Sequence, residues 1–223
     1  MKDEDQRVNE EKLKIMDVLK GLFGESDSLD DLKRMRNYKP IPLKRKSDIE
    51  YEVKYQSSQI EGEGHRVLNV VTNKYNEQVI IYRLYYDDDQ DDININLRIR
   101  IITDKGVKLA DPNIYLHVFQ EEQRIEIADI RIEGAHVNRG YGSIVMNEIL
   151  KLAHQLGIKF IDGWISGVDW GHIERSAHFY RKFGFDVELN EGAGKILWLN
   201  EELGATREAF ELLSKADTFE FNK

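Results

Sequence analysis

"HVNRGYGSIVMNEILKLA", residues 136–153, places two glycines in three positions and then runs into a clean helical pattern. Glycine costs backbone entropy and weakens a helix, so Gly140 and Gly142 need a reason. After them Val145, Ile149, Leu152 and Leu156 share one helical face, and Gly157 stands where a C-terminal cap belongs. A strand, a glycine turn and a helix aim several unpaired N–H groups at one point, together with the positive end of the helix dipole. A pyrophosphate fits such a place, and so does a tight turn with no ligand. Two better-known glycine motifs do not apply. A dinucleotide fingerprint needs a third glycine where Val145 stands. "GAGK" (192–195) lacks both the glycine of a phosphate loop, its place taken by Leu189, and the hydroxyl residue, replaced by Ile196.

Working outward, the stretch before the turn is "RIEIADIRI" (124–132). Ile125 and Ile127 are two apart, as are Ile130 and Ile132, but the step between the pairs is three. An extra residue at Ala128–Asp129, a β-bulge, returns all four to one face. A strand buried on both faces accounts for the pattern equally well. "IEYEVKY" (49–55), "VIIYRLYY" (79–86), "ININLRIRI" (93–101) and "NIYLHVF" (113–119) also read as strands, with "QEEQ" turning a hairpin. After the glycine helix come a strand at 159–165, a helix at 172–183, strands near 185–189 and at 195–200, and a short helix around Ala209, Leu212 and Leu213. Antiparallel strands followed by a β-α-β unit predict a mixed, mostly antiparallel sheet with helices packed on it, of α/β (α+β) class.

The N-terminal part differs. Val8, Ile15, Met16, Leu19, Leu22 and Phe23 share one face of a helix over 8–23, and Ser28 caps a second one through Met35. "KPIPLKRK" holds two of the chain's three prolines and reads as a solvated basic linker. The expected organisation is an N-terminal helical extension and linker (1–47), a sheet domain (48–200) and a helical tail (201–223).

Composition sets limits. The 223 residues are 41% hydrophobic and 33% charged, with a net charge of −9. An acidic chain does not suit nucleic acid and is compatible with a cationic acceptor such as an amine. The absence of cysteine removes disulfides, thiolate metal sites and a cysteine nucleophile. The charged start and the lack of a long apolar run predict a cytoplasmic chain without membrane contact. "DDDQDD" (87–92) lacks the glycine and terminal glutamate of a calcium loop, and no metal is expected.

"SAHFYRKFGF" (176–185) adds a second signal. Ile173, Ala177 and Tyr180 form one helical stripe, Phe179 and Phe183 a neighbouring one, and Gly184 ends the helix. By itself this is a core helix with aromatic anchors. Taken together, the irregular strand, Gly140-x-Gly142, a helix, a strand and Tyr-x-x-x-Gly-Phe resemble the GNAT-type N-acetyltransferases over residues 113–200.

The resemblance implies transfer of an acetyl group from the cosubstrate acetyl-CoA to a primary amine of a small molecule or peptide, by direct attack. It implies coenzyme contacts from Ile130 and Ile132, whose backbone supplies the oxyanion donor, and from Val137, Asn138, Arg139, Gly140, Tyr141, Gly142 and Ser143 at the pyrophosphate. It also implies that Tyr180 is the general acid. Three positions depart from the family pattern: Val137 replaces a Gln or Arg, Ile173 an asparagine and Ser176 an alanine. The family's two helices after its first strand are not evident between 49 and 113. Glu126, Asp129, Glu133, His136, Asp169 and His172 flank the expected cleft, and none is singled out as base. The alternative is a GNAT-like module that binds acyl-CoA or a protein with little or no turnover. The apolar face of helix 8–23 leaves a homodimer open.

Overall fold

The computed structural model describes residues 40–85, 93–108, 111–132, 136, 138–166, 173–190 and 192–220, the last six as backbone only. The expected helices at 8–23 and 28–37 and the acidic run 87–92 lie outside the described residues. Pro40–Lys223 forms one compact unit.

Its first element corrects an expectation. Residues 49–55 are not a strand; they open helix α1 (Ile49–Gly62). Their alternation is two i,i+4 helical stripes interleaved. Ile49 and Val53 lie on the stripe that continues to Ile60 and packs on the sheet. Tyr51 and Tyr55 stack on each other on another side, with Arg45 and Lys44 of the basic linker over their rings. The start is set by Asp48, whose Oδ1 accepts the Tyr51 N–H (2.9 Å).

The strands are β1 (Arg66–Thr72), β2 (Gln78–Leu84), β3 (Asn94–Thr103), β4 (Gly106–Lys108), β5 (Asn113–Phe119), β6 (Arg124–Arg131), β7 (Phe160–Ile165), β8 (Asp186–Asn190) and β9 (Ala193–Leu199). They form one sheet in the order β1-β2-β3-β5-β6-β7-β9-β8, with β4 pairing β3. Every pairing is antiparallel except β6 with β7. Helix α2 (Tyr141–Gln155) makes that parallel crossover, α3 (Ile173–Lys182) follows β7, and α4 (Arg207–Glu220) follows β9. Strand β1 was not expected. A bulge at Leu68 breaks its rhythm, and most of its side chains stay partly exposed.

Alternation along β2 separates two cores. Val79 and Ile81 join the large cluster under α2 and α3, which takes in Leu97, Ile99, Ile125, Ile127, Val145, Met146 and Ile149. Ile80, Tyr82 and Leu84 face the other way, into the smaller cluster under α1. At the far end of that second face Phe160 meets Phe210 of α4 (ring centroids 5.5 Å). Between them the strands present His117, Glu126 and Asp162, each partly exposed.

Of the two readings of 124–132, the bulge is the one found. Tyr115 pairs with Asp129 and Leu116 with Ile127, so Ala128 is the extra residue. Ile130 and Ile132 therefore pack against the same cluster that buries Ile125 and Ile127. Deletion of Ala128 leaves Ile-Glu-Ile-Asp-Ile-Arg-Ile, whose strict alternation keeps all four isoleucines on the core face without a bulge. The deletion is therefore expected to cost less than Ile130→Ala combined with Ile132→Ala, whose loss is about 2 kcal/mol or more, read as a lower urea midpoint with an unchanged slope.

Candidate functional site

Strands β6 and β7 run in register from Arg124↔Phe160 to Ile127↔Gly163, and there the ladder stops. Strand β7 continues to Ile165 against β9, while β6 continues to Arg131 against β5. Beyond Ile127 the two parallel strands no longer share a register, one residue before the bulge. The strands are close at Gly163, where a Cβ would stand 2.8 Å from the Ile127 carbonyl oxygen. Among the described residues, β6 has no register with β7 beyond Ile127. A gap at the carboxyl ends of parallel strands is where open α/β sheets take ligands.

The glycine turn lies next along the chain. Gly140 is the N-cap of α2 at φ +85°, and no side chain caps the helix. A Cβ at Gly140 would meet nothing within 4 Å, so the left-handed backbone alone calls for glycine. Gly142 has a different reason: a Cβ there would lie 3.2 Å from the Phe179 ring of α3. The uncapped first turn holds the N–H groups of Tyr141, Gly142 and Ser143 at the positive end of the helix. Lys182, at the end of α3, donates to Ser143 Oγ (3.2 Å) and brings a cation to this turn. Sequence reasoning missed Lys182, since a lysine in a last helical turn looks like an ordinary dipole partner.

Behind the turn is a buried carboxylate that the sequence did not single out. Glu77, in the β1–β2 connection, is 4% exposed. Its Oε1 accepts from Arg139 (2.6 Å) and Lys108 (2.9 Å), and its Oε2 from Asn73 (2.7 Å) and the Tyr141 hydroxyl. Burial would push the Glu77 carboxyl up, but the donors from Arg139, Tyr141, Lys108 and Asn73 outweigh it and bring it from 4.5 to about 2. Its contribution to stability is complete above pH 4.5 and is lost as pH falls toward 2. Tyr141 is fully buried, so only its backbone faces the turn. His136 packs beside it (5.8 Å), its imidazole pKa lowered by burial and then by Lys108.

The remaining expected residues fall as follows. Ile132 touches the Gly142 position, Gly142 touches Phe179, and Phe179 lies edge-on to Tyr180 (5.2 Å), so strand, turn and α3 are contiguous. Ile130 is half-buried and Asn138 is exposed at φ +61°. Val137, Glu133, Asp169 and His172 lie outside the described residues. Ile173, where the resemblance wants asparagine, packs in the core. Tyr-x-x-x-Gly-Phe also has a local cause: Phe185 N–H donates to Tyr180 O (3.3 Å) and Gly184 N–H to Arg181 O (3.0 Å), with Gly184 at φ +81°. This is a Schellman cap, and the Tyr180–Phe185 ring contact (5.5 Å) is its hydrophobic seal.

On the other face, at the last registers before the strands part, Glu126 pairs in register with both His117 and Asp162. His117 Nδ1 is 3.4 Å from Glu126 Oε2, and Arg124 donates to Asp162 Oδ1 at 3.4 Å. Burial pushes the Asp162 carboxyl up to about 6 against the pull of Arg124, and the nearby Glu126 adds to the rise. Its charge state thus changes close to neutral pH.

Residues 98–185 match the Acetyltransferase (GNAT) family. The matched segment runs from within β3 to the end of the α3 cap and contains the end of the β6–β7 register and the glycine turn. Uncharacterized protein YocC of Bacillus subtilis (strain 168) is 25% identical over 158 residues, 69% of this chain and 90% of that protein. Among solved structures, the GNAT domain of S. lividans PAT is 10% identical, covers 59% of this chain and 96% of that one, and has a TM-score of 0.46. Spermidine N-acetyltransferase from Vibrio cholerae, in complex with CoA and spermine, is 15% identical, with coverages of 51% and 70% and a TM-score of 0.40. The expected mixed, mostly antiparallel sheet is the architecture found.

The two glycines are separable by experiment. Gly140→Ala is expected to cost about 1–2 kcal/mol through its left-handed backbone, and Gly140→Asn less. The cost of Gly142→Ala instead shrinks in a Phe179→Leu background, as read by a double-mutant cycle of unfolding free energies.

Proposed function

We propose that the chain is an N-acetyltransferase that moves an acetyl group from acetyl-CoA to a primary amine. The observation that carries this reading is the parting of β6 and β7 at Ile127 and Gly163, beside the uncapped first turn of α2. The end of the β6–β7 register is the proposed place for the carrier's arm. The turn offers the N–H groups of Tyr141, Gly142 and Ser143, with Lys182 alongside, to a pyrophosphate. Backbone N–H between Ile130 and Ile132 is the proposed donor to the oxyanion.

The amine nitrogen attacks the thioester carbonyl, its proton leaves to a base, and the C–S bond breaks to release the thiol. Tyr180 on α3 is the proposed donor to the departing sulfur. A phenol near pKa 10 facing a thiol near 8.5 gives up its proton uphill by about 2 kcal/mol. The hydroxyl therefore works mainly as a hydrogen-bond donor, and its loss slows the reaction without abolishing it. On the acceptor side, Glu126 and Asp162 form a carboxylate pair at the throat of the gap. They suit a cationic acceptor, and Asp162 suits the base because its carboxyl titrates near the working pH. An acidic chain supports the same acceptor class.

Acetyl-CoA at about a hundred times its Kd is expected to stabilise the protein by about 2.7 kcal/mol. No shift in melting temperature at millimolar acetyl-CoA overturns the reading. Tyr180→Phe is expected to lower kcat by about tenfold to several hundredfold with acetyl-CoA affinity unchanged.

The base needs Asp162 ionised, so the rate rises with pH through about 6. Asp162→Asn is expected to remove that rise and to slow thiol release by about 10²–10⁴-fold. A pH profile identical to wild type takes Asp162 out of the mechanism.

A further inference from the structure

Arg139 and Tyr141 flank Gly140, and both are bound to a residue more than sixty positions away. Arg139 Nη2 donates to Glu77 Oε1 at 2.6 Å, and the Tyr141 hydroxyl donates to Oε2. Asn73 Nδ2 reaches the Arg139 carbonyl oxygen at 3.3 Å, and the Arg139 guanidinium sits 4.3 Å from the Tyr75 ring centroid. Lys108 of β4 closes the cluster, donating to Glu77 Oε1 (2.9 Å) and to the Tyr141 hydroxyl (3.0 Å). The hairpin turn carrying Glu77 is itself tied, since Asn73 Oδ1 accepts the N–H groups of Tyr75 and Glu77, both at 2.9 Å.

We propose that Glu77 is a positioning residue for the glycine turn: from the β1–β2 hairpin it fixes Arg139 and Tyr141, and so holds the α2 N–H groups in the geometry that a pyrophosphate needs. This rests on the reading of the turn as the carrier's site. A buried carboxylate costs several kcal/mol in lost hydration, which the cluster must offset. Both oxygens of Glu77 are used, each by two donors from different segments. Glutamine cannot replace it, because its NH2 group must face either the two cations or the Tyr141 hydroxyl and the Asn73 amide. The residues on either side of Gly140 then lose their shared partner in the β1–β2 hairpin.

The sign of the effect separates positioning from simple charge. Lys108 and Arg139 carry two positive charges against the one negative charge of Glu77. If Glu77 acted only as a charge near the turn, Glu77→Gln would raise the local potential and tighten phosphate binding. Positioning predicts the opposite.

The test measures acetyl-CoA binding by calorimetry for wild type, Glu77→Gln and Tyr141→Phe. Amide hydrogen exchange of the ligand-free proteins is followed at 138–143. The expected result is a Kd raised about tenfold or more in Glu77→Gln and several-fold in Tyr141→Phe. Exchange accelerates at the turn and is unchanged in β5, β6 and β7. A lower melting temperature with unchanged or tighter Kd overturns the proposal and leaves Glu77 a purely structural group. Where Glu77→Gln fails to fold, Tyr141→Phe decides, because it keeps every charge and removes a single hydroxyl; an unchanged Kd there overturns the proposal. Wild-type protein that does not bind acetyl-CoA overturns the underlying site reading, an outcome distinct from binding that the variants leave intact.

Discussion

A parallel strand pair can keep its ladder only while both strands keep the same rhythm, and β6 breaks rhythm at Ala128. The extra residue follows directly on the last register with β7, at Ile127 and Gly163, while β6 stays paired with β5 through Arg131. With it all four isoleucines of the strand stay on the core side. Ile132, just past the strand, lies against the Gly142 position at the start of α2.

The turn is held by long-range contacts, since little in it is self-supporting. A left-handed glycine with no side-chain cap is a weak way to start a helix. Here its neighbours are tied to Glu77 and packed on Phe179, so the β1–β2 hairpin and α3 grip it from two sides. The same arrangement keeps the first-turn N–H groups of α2 uncapped by side chains. The opposite face of the sheet carries Glu126 and Asp162 side by side near the end of the β6–β7 register.

Much of this was legible in the order of residues. Regular strands with one buried face, such as β3 and β5, and the helix after Gly142 were readable because their periodicity is local. Gly157 and Gly184 were readable as helix ends because a Schellman cap involves only six consecutive residues. The irregular spacing in β6 was visible, but two structures explained it, and only the pairing partner separates them. Strand β1 and helix α1 were not legible. Leu68 bulges out of register, and the tyrosines of α1 imitate strand alternation because their partners are linker cations.

By itself, then, the sequence determined the β-α-β unit, the glycine turn, the helix caps and the resemblance of one segment to GNAT acetyltransferases, because each is written within a short stretch of chain. Tertiary structure alone decided that Glu77 holds Arg139, Tyr141 and Lys108, that Gly142 makes room for Phe179, and that Asp162 sits beside Glu126. These partners lie 31 to 64 positions apart in the contacts of Glu77, far beyond the period of any helix or strand. A buried carboxylate has no signature of its own in a chain rich in exposed ones; only its loss of water and the donors that replace that water distinguish it.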